Sequence, residues 1–531
     1  MTLLVDRVHQ NAIDYPNEIA LTLNDKHVSY YQLDILIQEA THKCDALGLQ
    51  TNDKVALVLP NIIETVVLFY ALNALGISVV MCHPLSSGKN LKERCEMLGC
   101  KAVFVLDVLE KRLDGYLDQF KLITISAYNS TTGIIALGLN LKSNFFSSKK
   151  ILWDKIKPTD HTLQYNDQKD AVVLFSSGTS GFQKGISLSN DALNSLVDQM
   201  LDVIEPQRGI DSMFCILPFF HGFGLAIALH TVLALGGRCI LVPRLHKETL
   251  IKTLLKEKPT YIAAVPYLLK LLLKDERFIN ANLSFIKQVF VGGESVPLSL
   301  IDNFNTVLKR QGSKAVVQVG YGCTETVTAV TLMDRKDSGL AGVGKPFKGN
   351  TIKILKNDNT FANANTIGEI LISGPILMNG YVGMEELTRE VLINIDQINY
   401  YKTGDIGYLD SEGILHFKHR KDQLIKIKGF IINPDEIIEK LVKIKAVEDA
   451  KVLVNDNDQL IAVLVLNDLS YTHLTQKEII QALKDLDDWS IPKKYYIIDS
   501  IPMNEMRKSD LKALEEGIRN QSLEFLLEWT L

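Results

Sequence analysis

The sequence predicts an α/β fold: a large N-terminal α/β body of stacked sheets with helices, plus a small α+β C-terminal domain. Three observations carry this. From about residue 20 to 420, short β-branched runs alternate with amphipathic helical patterns, the arrangement that builds sheets covered by helices. At 419–428 the text changes to HRKDQLIKIK, a short charged run between a strand-like segment and a well-marked helix start. Beyond it lie about 110 residues of mixed elements, enough for one compact domain. The boundary is placed at Asp422, giving domains 1–421 and 422–531.

In chain order, the strand-like runs of the body include 54–59, 102–106, 171–175, 288–291 and 315–319. The clearest helix follows Asn190, which can cap it; Leu193, Leu196, Val197, Met200 and Leu201 then recur at i, i+3, i+4 spacing. The most apolar stretch, 214–243, is interrupted by Pro218, His221, His230 and Arg238. It reads as a buried strand followed by a buried helix, not a membrane span. After the strand-like 414–417, a helix opens with Asn433 as cap, Pro434 at its first position, and Asp435 and Glu436 in its first turn. A hairpin pairs 451–454 with 460–466 around Asn455-Asp456-Asn457-Asp458. A capping box, Thr475 to Glu478, starts another helix, 495–498 is a strand, and the tail around 525–529 reads as a helical extension.

Composition sets outer limits. With 531 residues, 47% hydrophobic and 22% charged, the chain has the makeup of a globular protein with a substantial core. At roughly 150 residues per domain its length admits three or four packing units. A net charge of −5 offers no basic field for nucleic acid. Seven scattered cysteines contain no CxxC pair, and the eleven histidines no HExxH, which argues against a histidine-held catalytic metal and fits a reducing, cytoplasmic setting. The first sixteen residues lack the basic and apolar regions of a signal peptide.

The strongest chemical signal is the loop SSGTSGFQKG at 176–185, directly after a buried strand. Gly178, Gly181 and Gly185 let backbone N–H groups turn toward one point, while Ser176, Ser177, Thr179, Ser180 and Lys184 supply donors for phosphate oxygens. It is not a Walker A loop: Gln183 stands where that glycine belongs, and 186–188 reads as another strand instead of an immediate helix.

Further motifs follow. GYGCTE at 320–325 puts an aromatic face (Tyr321), a hydroxyl (Thr324) and a carboxylate (Glu325) at a strand end, a place where α/β proteins bind ligands. YKTGD at 401–405 ends on Asp405, whose carboxylate can accept both protons of a ribose diol, although such an aspartate alone is ordinarily a turn residue. His221, in LPFFHGFG, would by itself be a satisfied core histidine. Lys508, in IPMNEMRKS, would by itself be a solvated surface charge.

Taken in order, these motifs resemble the adenylate-forming superfamily: acyl- and aryl-CoA ligases, adenylation domains of peptide synthetases, and luciferases. The resemblance extends from the amino-terminal third to residue 514. It implies that Ser176, Ser177, Gly178, Thr179, Ser180, Gly181 and Lys184 bind ATP phosphates. It also implies that Tyr321 stacks adenine with Gly322 beside it, that Thr324 contacts phosphate, and that Glu325 holds Mg²⁺. Gly293 and Glu294 belong to the segment along the adenine pocket. Asp405 and Arg420 are implied as ribose contacts, and Phe220, His221, Gly292, Gly293 and Gly320 as the acid pocket. There the missing Cβ atoms of the glycines leave room for ligand. Lys508 is the implied catalytic lysine, carried by a small mobile C-terminal domain. That domain would turn about a hinge at Asp422, withdrawing Lys508 and bringing Lys426 and the Gly429 segment to the site. His221 falls at the position gating the acid pocket, and FFHGFGLA lacks the acid that amino-acid-activating domains use to pair a substrate amine, so an uncharged tail is expected.

Three residues depart from the family pattern: Gln183 for a proline, Arg507 for the glycine before the lysine, and Ile431 for an arginine used toward CoA phosphate. The activity implied is ATP- and Mg²⁺-dependent conversion of a small carboxylic acid to an acyl-AMP, followed by transfer to CoA or phosphopantetheine. The acceptor would be free CoA in a stand-alone acid–thiol ligase. The nearest alternative loads an acyl carrier protein, which Ile431 and Arg507 favour; others are a non-catalytic nucleotide-binding regulator and a luciferase-like oxidase.

Overall fold

The computed structural model describes residues 2–126, 151–163, 169–176, 184–204, 207–243, 246–427, 430–455, 459–467, 474–503, 509–520, 522–523 and 527–530. The chain divides into two compact units, residues 1–352 with 371–402, and 353–370 with 403–531. The length alone admitted three or four units, but both large sheets fall within the first.

Among the described residues the first unit holds a nine-stranded sheet in the order Lys345–Pro346, Thr331–Leu332, Val317–Tyr321, Gln288–Val291, Tyr261–Ala264, Ser212–Cys215, Arg238–Leu241, Ile19–Leu23, Lys26–Ser29. The run from Val317–Tyr321 to Ile19–Leu23 is parallel. A second, eight-stranded sheet runs Gly380–Tyr381, Gly185–Leu188, Val172–Phe175, Ser78–Met81, Lys54–Val58, Ala102–Leu106, Lys121–Ile125, Ile151–Leu152. Parallel strands are covered on both faces, so they read as unbroken apolar runs. Val55, Ala56, Leu57 and Val58 are accordingly all buried.

Three local expectations change. The strand expected at 315–319 is Val317–Tyr321, because the N–H groups of Ala315 and Val317 are taken by the Ser313 Oγ (3.0 Å) and Asn305 Oδ1 (2.8 Å) side chains. Tyr321 therefore sits on the strand itself. Helix Asn190–Met200 is capped by Ser189, whose Oγ accepts from the Ala192 N–H at 3.1 Å. Asn190 turns inward and accepts from Asn73 Nδ2 at 2.8 Å. Finally, the buried helix in 214–243 is a π-helix, Phe223–Thr231, running into a short α-turn, Val232–Ala234.

In the second unit the strand Ile398–Leu409, which enters from the first, pairs antiparallel with Leu415–Arg420. Past the short turn Lys421–Gln423, a hairpin of Ile425–Ile427 and Phe430–Ile432 leads to helix Pro434–Leu441, capped by the Asn433 side chain as expected. A four-stranded sheet follows, in the order Val447–Val454, Leu460–Leu466, Lys494–Ile497, Leu527–Thr530. Alternate residues of Leu460–Leu466 serve two cores. Leu460, Ala462 and Leu464 pack with Ile437, Leu441, Ile479 and Leu483; Ile461, Val463 and Val465 pack with Leu514 of helix Leu511–Arg519. The capping box at Thr475 forms. The tail is not a helix: Leu527–Thr530 adds an antiparallel strand, Trp529 opposite Tyr495. An open sheet edge offers unpaired N–H and C=O groups, and a segment this short cannot nucleate a stable helix. Asp422, the expected boundary, lies inside this unit.

Candidate active site

The glycine loop spans an antiparallel hairpin. Val172–Phe175 pairs with Gly185–Leu188, Phe175 opposite Gly185, and the Ser176 N–H donates to the Lys184 carbonyl at 3.4 Å. The strands expected on either side of the motif are thus observed. Ser176 and Lys184 form the loop's base; Ser177, Gly178, Thr179, Ser180, Gly181 and Gln183 lie outside the described residues. The Lys184 ammonium stands 4.9 Å from the centroid of the Tyr381 ring, a cation–π distance.

Glu325 lies in a single 3₁₀ turn, Thr324–Thr326, just past the strand that ends on Tyr321. Its carboxylate is buried at 8% exposure, and Oε1 accepts from the Tyr381 hydroxyl at 2.9 Å. Tyr381 is in turn hydrogen-bonded by the Tyr401 hydroxyl. Burial first, and then the Glu325 charge, hold the Tyr381 phenol well above its ordinary value. Burial, followed by the neighbouring Cys323 and Glu325, does the same to Tyr401. Both phenols therefore remain hydrogen-bond donors at any working pH. Tyr381 comes from the strand Gly380–Tyr381, which pairs with Gly185–Leu188, Tyr381 opposite Ile186. The structure thus adds Tyr381 and Tyr401 to the site.

Among the described residues no group of three or more His, Cys, Asp or Glu could cage a resident metal. A lone buried carboxylate suits Mg²⁺, which keeps several waters and is bound through one or two carboxylates plus substrate phosphates. The donor set therefore fits a metal that arrives with a nucleotide.

His221 is delivered by a separate device. Asn61, 4% exposed, donates through Nδ2 to the carbonyls of Cys215 (3.0 Å) and Leu217 (2.9 Å), and its Oδ1 accepts from the Phe219 N–H at 3.1 Å. The segment 215–219 is thereby pinned, and the His221 carbonyl accepts from the Leu225 N–H at 2.8 Å as the π-helix begins. Phe220 stands between two imidazoles, 5.0 Å from His221 and edge-on to His83 at 4.7 Å. Neither Asn61 nor His83 has a motif that would have singled it out. Gly292 and Gly320 sit together at adjacent strand ends, but the space beside Gly292 is taken by the Gly320 carbonyl, 2.9 Å from where a Cβ would lie. Without a Cβ on Gly292 the two strand ends can approach this closely. Gly293 is exposed with φ 87°, and Glu294 is half-buried.

In the second unit Asp405 and Arg420 are cross-strand partners, Nε to Oδ1 3.2 Å, with Asp405 8% exposed. The Asp405 N–H donates to Thr403 Oγ1 (2.9 Å), which donates to the Ile370 carbonyl (2.8 Å), so Asp405 is a strand residue and not a turn cap. Arg420 Nε also lies 3.5 Å from Asp422 Oδ1. Lys426 is exposed, opposite Ile431 in its hairpin. Lys508, Arg507 and Gly429 lie outside the described residues.

A family model described as AMP-binding enzyme matches residues 8–382. A probable CoA ligase of Humulus lupulus is 26% identical over 466 residues, covering 85% of this chain and 80% of that protein. A 2-succinylbenzoate–CoA ligase of Oceanobacillus iheyensis is 25% identical over 508 residues, 93% and 95% of the two chains. The solved O-succinylbenzoate coenzyme A synthetase of Bacillus subtilis, in complex with ATP and magnesium ion, shares the fold with a TM-score of 0.77 at 24% identity, over 96% of this chain and 99% of that one.

Proposed function

The chain belongs to the AMP-binding enzyme family, and from that premise we propose that it is an acid–thiol ligase of the acyl- or aryl-CoA synthetase type. It would join a carboxylic acid to AMP at the expense of ATP and pass the acyl group to a thiol. The observation that carries the reading is the meeting of Glu325 and Lys184 on one Tyr381 side chain, a buried anion and a cation at the mouth of a glycine loop. That pairing suits a metal-bound polyphosphate. CoA ligases among the relatives support the thiol half.

A carboxylate is a weak nucleophile and the α-phosphate repels it, so positive charge must stand where charge builds. We assign Lys184, Thr324 and the loop N–H groups to the phosphates, Tyr321 with Gly322 to adenine, and Asp405 with Arg420 to the ribose hydroxyls. Gly293 and Glu294 would border the nucleotide. Lys508 would meet the α-phosphate as the acyl-AMP forms, while Phe220, His221 and Gly320 shape an acid pocket that keeps water from the mixed anhydride. Glu325 would hold a magnesium ion arriving with ATP, which would supply positive charge against that of the departing pyrophosphate. Rotation about Asp422 would then exchange Lys508 for Lys426, opening the carbonyl to the thiol.

The test is pyrophosphate release, with hydroxylamine trapping of the acyl-AMP, across fatty, aryl and amino acids. Release with a fatty or aryl acid whose tail carries no charge is expected; silence across the panel refutes the reading. The same acid, offered with free CoA or with a phosphopantetheinylated carrier protein, identifies the acceptor. Ile431 and Arg507 favour the carrier protein, and the named relatives favour CoA.

A further inference from the structure

We infer that Tyr381 is a positioning residue that orients the Glu325 carboxylate with its hydroxyl and the Lys184 ammonium with its ring, so that one side chain sets both charges for a metal-bound polyphosphate. The inference deepens the functional reading above and rests on it. The hydroxyl donates to Glu325 Oε1 at 2.9 Å, which ties down one carboxylate oxygen and fixes the direction of the other. The ring centroid lies 4.9 Å from Lys184 Nζ, so the ammonium rests on aromatic carbon, and its N–H groups turned away from the ring can reach other acceptors.

A buried carboxylate and a half-buried ammonium gathered at one place would otherwise attract each other directly. A closed ion pair would turn both away from ligand, since pairing strengthens as water is excluded. Tyr381 prevents this by giving each charge its own contact. Its proton is aimed by Tyr401: the Tyr401 hydroxyl donates to the Tyr381 oxygen, so the Tyr381 proton is left for Glu325. The main chain holds the ring in place. Tyr381 pairs with Ile186 on the strand that leaves the glycine loop, and its N–H donates to Thr388 Oγ1 at 2.9 Å.

The experiment is calorimetric binding of ATP to the full-length protein without acid substrate, across a magnesium titration, for wild type, Tyr381→Phe, Tyr381→Leu and Tyr401→Phe. Wild type is expected to bind ATP more tightly as magnesium rises. Tyr381→Phe keeps the ring under Lys184 and so keeps its metal-free ATP affinity. It should need about tenfold more magnesium for half of the tightening, the scale of one lost hydrogen bond to a charged group. Tyr381→Leu should lose about tenfold in metal-free affinity as well, from the missing cation–π contact and the freed ammonium. Tyr401→Phe should shift the magnesium curve in the same direction by less, and it carries the test if Tyr381→Phe does not fold. A Tyr381→Phe or Tyr401→Phe curve that superimposes on wild type overturns the role of Tyr381 alone. Wild-type affinity that ignores magnesium overturns the nucleotide reading, and this inference with it.

Discussion

The carbonyl oxygen of Val327 stands within contact distance of where a β-carbon on Gly222 would lie, so the turn after Glu325 rests directly on the backbone beside His221. Val327 is fully buried with φ 63° and ψ −60°, and the Thr328 N–H donates to the Thr326 carbonyl at 2.7 Å. This is the rare positive-φ γ-turn, a strained conformation for a β-branched residue. Gly322 accepts the Thr328 carbonyl in the same way. Two glycines thus clamp a strained turn between the segments assigned to acid and to metal.

Gly222→Ala should cost on the order of 3 kcal/mol, because the obstacle is backbone that cannot rotate aside. At Val327 the usual order should invert. Val327→Gly relieves the strained φ while Val327→Ala keeps it, so glycine should be the less destabilising despite removing more side chain. Urea unfolding midpoints decide, and an alanine variant as stable as the glycine one contradicts the strain.

His230 should make the protein sensitive to acid. It is fully buried, its Nδ1 accepting from the Tyr70 hydroxyl (3.1 Å) and its Nε2 donating to Asn194 Oδ1 (3.3 Å). Burial, helped by the Arg7 charge, lowers its pKa from 6.5 to about 3. Between those values the unfolded chain carries a proton that the folded one does not, so stability is intact above pH 6.5 and falls as pH drops, by about 1.4 kcal/mol per pH unit from this group. The difference in unfolding free energy between wild type and His230→Gln should show that slope; a flat difference from pH 6.5 to 4 would exclude it.

The seven cysteines form no disulfide, and Cys323 alone among them is not buried. Burial raises the thiols of Cys44, Cys239 and Cys82, the last to about 12, whereas the thiolate is the reactive form. Iodoacetamide on native protein should therefore label Cys323 first. Magnesium and ATP should slow that reaction, because Cys323 lies between Tyr321 and Glu325. Peptide mapping reads the site, and labelling indifferent to nucleotide counts against this loop as its seat.

Lys508→Ala should abolish acyl-adenylate formation yet leave thioester formation from supplied acyl-AMP. Asp422→Pro, which stiffens the turn Lys421–Gln423, should do the reverse. Separate assays of the two half-reactions check both, and equal loss of both halves in Lys508→Ala would remove that lysine from the first step.

Much of this was legible in the residues. The Asn433–Pro434 helix start, the Thr475 capping box and the pairing of Val172–Phe175 with Gly185–Leu188 all form because each signal is satisfied within a few residues of itself. Helix Asn190–Met200 shows the limit of that rule: both Ser189 and Asn190 can cap, and only the buried partner Asn73 decides that Asn190 turns inward. The tail strand Leu527–Thr530 was missed for the same reason, since its partner is a sheet edge formed elsewhere in the chain.

The amino-acid order by itself determined the α/β class, the glycine loop and the acid, base and aromatic residues that chemistry on a nucleotide would use. These follow from periodicity, side-chain chemistry and local backbone rules. Only the tertiary structure decided that Glu325 and Lys184 share Tyr381, that Asn61 pins the approach to His221, and that Gly292 lies against the Gly320 carbonyl. Such meetings depend on which strands become neighbours, and strand pairing is settled by the burial of whole sheets, a sum over many distant residues that no short window contains.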